Sequence, residues 1–314
     1  MAESLGTGQA ERDPRATSPG STSLVRAAQV AHEAEVRQSR NGVRFATFGE
    51  TGVPGPDLDR MLEAVPAAIV AALGANTYFF VPLALREAVE SSAGDSPAAG
   101  QHTGEPAMVA PAYTDELGDA AICHRNIELG SGHRGVFIST RLMNDRFALS
   151  FEFFINVAHA FVEAAGVPQG FADLVWQQAV DNVRGETSLD AWESRNLAFG
   201  RPADAQPEVA QPASRRTRAF SGLSRPFSMS TASSPTQPAA INEKERGLYL
   251  ETAFSDSVAI YLLSLALDFD YSELREREYP LLAPAALAGR LRLVAEFFPP
   301  NDGYEFSIRY RRRA

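Results

Sequence analysis

The run Phe147 to Ala165, FALSFEFFINVAHAFVEAA, constrains the fold more than any other part of the chain. It carries the strongest helical pattern in the sequence. Asn144 or Asp145 can cap its start, and Gly166 and Pro168 end it. Other elements order themselves around it. Asp57 can cap an apolar helix through Leu73, with Leu58, Met61, Leu62, Val65, Ile69 and Val70 at helical spacing. Pro66 falls inside that pattern and should kink it.

Thr77 to Val81 reads as a buried strand, Leu83 to Glu90 as a helix, and residues 91–110 as a loop. Ala120–Cys123 and Gly135–Thr140 read as strands, with a turn-like ELGSGH between them. Helices are predicted over Phe171–Val183, around Leu189–Leu197, from the cap Asn242 to Leu267, and over 281–297 behind Pro280. The fold class is therefore α+β, with helices outweighing the sheet.

The two ends and one internal stretch differ in character. Residues 1–45 read as a disordered, Ser- and Gly-rich start followed by a polar, weakly held helix over 25–42. Residues 200–240 are rich in Pro, Ser, Ala and Gln, with Arg215, Arg216, Arg218 and Arg225, and read as a mobile insertion. The core is then 46–199 with 241–270, and 271–314 adds a helix and a basic tail.

Charge and cysteine content narrow the function classes. Lys plus Arg number 29 against 39 Asp plus Glu, a net charge of −10, which argues against a nucleic-acid protein. A single cysteine, Cys123, excludes an internal disulfide and a multi-cysteine zinc site. No apolar run is long enough to span a bilayer. The N-terminus lacks the basic and apolar regions of a Sec signal peptide. It reads either as a floppy terminus of a cytoplasmic protein or as a leader of the type III kind, on a protein secreted without a Sec signal.

Within the strong helix, the frame Ile155-Asn156-Val157-Ala158-His159 resembles the H-E-x-x-H helix of zinc metallopeptidases. That motif sets two imidazoles one turn apart on a zinc ion, with a glutamate as general base. His159 matches the second histidine, while Ile155 and Asn156 stand where the first histidine and the glutamate would be. Downstream, ETAFSDSVAIYL (Glu251 to Leu262) resembles the helix that supplies a glutamate ligand. The frame fixed by Phe254, Asp256, Ala259 and Leu262 puts Thr252 at the ligand position and Glu251 one residue early, about 100° around the helix. The order of elements before the histidine helix, with Leu62 and Pro66, then TYFFV, then Ala112-Tyr113-Thr114-Asp115, is similar to the lethal-factor-like branch of the gluzincins.

The resemblance implies a zincin-like core, a small sheet followed by an active-site-type helix. Its departures imply lost chemistry, because a neutral amide at 156 is no base near neutral pH. The reading is a pseudopeptidase that keeps a cleft for a protein or peptide, needs no cofactor and leans away from enzymatic activity. A bacterial effector is compatible with it. The alternative is an atypical zinc enzyme with His159, Glu163 (i, i+4) and Glu251 as ligands and Asp256 orienting His159. His159 can also be an ordinary helix histidine.

Other candidates are weaker. Cys123 and His124 are adjacent, so on a strand their side chains diverge. His133 sits in a turn, His102 in a polar loop and His32 in the polar helix. Arg309, Arg311, Arg312 and Arg313 form a short basic tail.

Overall fold

A computed structural model describes residues 24–86, 107–143, 145–203, 241–274 and 279–308. The expectations for the N-terminal leader, His102, the 204–240 part of the insertion, the Asn144 cap and the basic tail lie outside the described residues.

The chain begins with β1 (Val25–Arg26), α1 (Ala27–Glu33), β2 (Arg37–Gln38) and β3 (Arg44–Thr47). The predicted weakly held helix over 25–42 is thus a short helix between two strands. Ala27 and Val30 are fully buried, because α1 covers one face of a sheet through the cluster with Phe79, Val81 and Phe137.

Next come α2 (Gly55–Glu63) and α3 (Ala67–Val70), which runs into a 3-10 turn at Ala71–Leu73. Pro54, not Asp57, occupies the cap position, and Asp57 lies in the first turn. The break falls at Pro66 as its missing N–H requires. The carbonyls left over are taken by side chains. Asn41 donates its amide to Leu62 O at 2.8 Å and Val65 O at 2.7 Å. Asn301, from the far end of the chain, donates to Glu63 O and Val65 O and accepts the Ala67 N–H.

Then follow β4 (Asn76–Val81), β5 (Leu83–Leu85), β6 (Met108–Ala110), α4 (Asp115–Gly118), β7 (Ala121–Ile122), β8 (His124–Gly130) and β9 (His133–Ser139). Leu83–Leu85 is a strand where a helix was predicted, and Met108–Ala110 a strand inside the predicted loop. An unbroken apolar stretch carries no period that separates helix from strand. The expected turn between strands shrinks to the hairpin at Ser131 and Gly132, because β8 runs as far as Gly130.

Two sheets result. The smaller has the order β1-β6-β5-β7, antiparallel throughout. The larger has the order β2-β3-β4-β9-β8, with β3, β4 and β9 parallel and β8 antiparallel at the edge. Central β4 is buried at every position, as expected for a strand covered on both faces. Tyr78 and Phe80 point to the helical layer, Phe79 and Val81 to α1.

The helical layer holds α5 (Arg146–Ala165), α6 (Gln169–Val180), α7 (Leu189–Ala198), α8 (Glu243–Ala266) and α9 (Pro284–Phe297). Asp145 caps α5 by accepting the Phe147 N–H at 2.9 Å, and Asn242 caps α8. α5 is long and apolar enough to cross a membrane by length and composition alone. Its position accounts for that composition. One side faces the larger sheet and another packs along α8, burying Phe153, Phe154, Val157, Ala158 and Phe161. The architecture is α+β.

Candidate functional site

The seam between β8 and α5 gathers the polar groups that sequence spacing alone leaves scattered. β8 pairs His124 with Ile138, Asn126 with Val136 and Glu128 with Arg134 across β9. Val136 and Ile138 face the helical layer, so His124, Asn126 and Glu128 share that face. On α5, residues 152, 155, 156, 159 and 163 recur at helical spacing.

At one end of the seam, His124 Nδ1 meets Glu152 Oε1 at 2.5 Å. The Glu152 carboxylate accepts, so Nδ1 is the donor of this contact. Asn156 is buried and donates its amide to Glu152 O at 2.8 Å and to Glu152 Oε1 at 3.2 Å. The chain Asn156–Glu152–His124 therefore ties the helix to the edge strand. Two turns further along lies His159, open to solvent at the helix surface and without a hydrogen-bond partner among the described residues. Its imidazole is held below the ordinary histidine range, first by crowding that strips water from the ring and next by His124. Asp190 and Glu152 act in the opposite direction.

The other residues expected at a site are placed differently. Ile155 is partly buried against the main core. Glu163 is bound by Arg134 at 2.6 and 3.1 Å, and this pairing pulls its carboxyl below the usual range. Glu251 lies exposed on α8, and Thr252 donates its hydroxyl to Leu248 O. Asp256 does not orient His159. It is buried and accepts from Thr187 Oγ1 at 2.7 Å, with burial raising its carboxyl to about 6.

Among the described residues no three His, Cys, Asp or Glu side chains come together as a metal would need. The trio His159, Glu163 and Glu251 is not assembled among the described residues: Arg134 holds Glu163, and Glu251 lies exposed on α8. Cys123 stands exposed at the start of β8, but burial of its sulfur and the nearby Glu152 charge raise the thiol. A raised thiol is a poor nucleophile at neutral pH.

Sequence reasoning missed Glu152 altogether and treated His124 only as a neighbour of Cys123. The two residues are 28 apart in sequence, on a strand and a helix. Glu152 at i−4 from Asn156 was the available signal, since it shares that residue's face.

A second polar cluster lies deeper. Fully buried Glu186 accepts from Arg195 at 3.1 Å, from Tyr249 OH at 2.7 Å and from Arg290 at 3.0 Å. Arg290 also donates to Gln178 at 2.7 Å. This network joins α6, α7, α8 and α9, and its closed partner list marks it as structural. No family model, curated protein or solved structure matches the chain.

Proposed function

We propose that the chain is a zincin-like scaffold without metallopeptidase chemistry, which holds a protein or peptide segment along the open edge of its larger sheet. The observation that carries this reading is the placement of β8. It is the antiparallel edge strand, no residue in it is buried, and α5 runs beside it. An edge of this kind offers unpaired backbone groups to an incoming extended chain. The α5 face toward that edge presents Glu152 and His159, and Ile155 and Asn156 stand where the motif would have its first histidine and its glutamate. Glu152 and His159 can hydrogen-bond a peptide backbone or a polar side chain. Support for the ancestry comes from the frame of residues 155–159 and from the packing of α8 along α5.

The test is selection of short extended peptides on the full chain from a display library, followed by amide hydrogen exchange. Bound peptide should slow exchange in β8 and leave β1 and β6, at the other sheet, unchanged. Failure to enrich any peptide, or protection confined to other elements, counts against the proposal.

A further inference from the structure

The register of β8 decides which of its backbone groups are open. β8 pairs His124 with Ile138 and Asn126 with Val136 in antiparallel order, and Cys123 O accepts from Ser139 N at 2.9 Å. Along an antiparallel strand, residues that bond to the neighbour alternate with residues that do not. Residues 123, 125 and 127 therefore turn their N–H and C=O to β9, and His124, Asn126 and Glu128 turn theirs outward. Among the described residues no hydrogen bond reaches these outward groups.

The side chains of the same three residues read against themselves. A basic ring stands at one end, a carboxylate at the other, and the Asn126 amide midway. Charged residues on an edge strand ordinarily discourage pairing. An antiparallel copy reverses the order, however. His124 then falls beside the partner's Glu128, and Asn126 beside the partner's Asn126. Unlike charges at directly opposed positions stabilise a ladder, and like charges weaken it. Asn126 is exposed, and the Glu128 side chain is 71% exposed, with only a long contact to Arg134 at 3.4 Å. A two-fold axis at any other residue leaves one of the three outward residues unmatched, or sets outward groups against inward ones.

We propose that β8 pairs with β8 of a second copy of this chain across a two-fold axis at Asn126, joining the two five-stranded sheets edge to edge. Every outward N–H and C=O of His124, Asn126 and Glu128 is then satisfied in both copies. The inference rests on the open β8 edge that the peptide reading also uses, and makes a second copy the competitor of the peptide.

Each copy carries a net charge of −10, so the test is run at about 0.15 M salt, where long-range repulsion is screened. Sedimentation of the full chain from micromolar to submillimolar concentration should show a monomer–dimer equilibrium. Amide exchange at His124, Asn126 and Glu128 should slow as concentration rises, while that at Arg125 and Ile127 stays slow throughout. Asn126→Lys and Asn126→Glu each set a charge against its own copy, and each should weaken the dimer by about fivefold. An equal mixture of the two variants should regain it, because a two-fold at this residue sets position 126 against position 126. A wild type that stays monomeric overturns the proposal. So does a dimer unmoved by both substitutions, or a mixture no tighter than either variant alone. A monomeric chain that still captures peptides along β8 fails this proposal and leaves the peptide reading standing. A β8 dimer in a chain that captures no peptide does the reverse.

Discussion

His124 on the edge strand and Glu152 on the central helix are joined at 2.5 Å, and buried Asn156 braces the carboxylate from one turn away. The pair fixes the spacing between β8 and α5, and so the width of the seam assigned to an incoming peptide. Its side chains are 39% and 17% exposed, so solvent screens part of the attraction. A double-mutant cycle of His124→Gln and Glu152→Gln in urea should give a coupling of about 1 kcal/mol. Strict additivity would mean that the contact does not hold the strand to the helix.

The break at Pro66 gives a second expectation. Asn41 and Asn301 both donate to Val65 O, and each also serves a second carbonyl. Either Asn→Ala change alone should cost about 1–3 kcal/mol. The double change should cost more than the sum, because only then does Val65 O lose both side-chain donors. A sum or less would show that water replaces the amides freely.

Glu186 neutralises two buried guanidiniums. Glu186→Ala should destabilise by about 3–5 kcal/mol, the usual cost of stranding buried charge. Arg195 keeps backbone carbonyl acceptors at Val183, Gly185 and Ala179, whereas Arg290 keeps Gln178 and Tyr249 alone among the described residues. Adding Arg290→Met to Glu186→Ala should therefore recover part of the loss, measured by equilibrium unfolding. No recovery would place the cost in packing and not in charge.

Asp256 has its carboxyl raised from 3.8 to about 6, chiefly by burial. The folded state then holds a proton that the unfolded state releases. Stability contributed by this group is present below about pH 4, falls as pH rises towards 6, and is flat above that. The interval corresponds to roughly 3 kcal/mol. Asp256→Asn removes the titration, so the mutant should gain on the wild type by an amount of this order between pH 4 and pH 7. A difference between the two that does not vary with pH would mean that the carboxyl is not desolvated.

How much of this the sequence discloses depends on where the signal resides. The bounds of α5 and α8 are local: Asp145 and Asn242 cap them, and Gly166 ends α5. The kink at Pro66 is local too. Leu83–Leu85 could not be read correctly, because three apolar residues in a row fit a core strand and a core helix alike. β8 was hidden by its own polarity, since an edge strand need not alternate apolar and polar residues. At the candidate site, the sequence singles out α5 with His159 and Asn156. The partners of that helix are set by tertiary packing. His124 reaches Glu152, and Arg134 takes Glu163 out of any ligand set, across separations of 28 and 29 residues. The resemblance assigns Asp256 to His159, yet the loop before α7 brings Thr187 to it instead.

The account rests on residues 155–159 occupying the frame of a former metal site. Zinc titration of the Ile155→His, Asn156→Glu double variant tests this most directly, with the wild type as reference. Residue 155 lies one turn from His159, so the variant should bind one equivalent of zinc about a hundredfold or more tighter than the wild type. Equal zinc affinity in the two proteins, with the variant folded, would contradict the frame and the scaffold's proposed descent from a metallopeptidase.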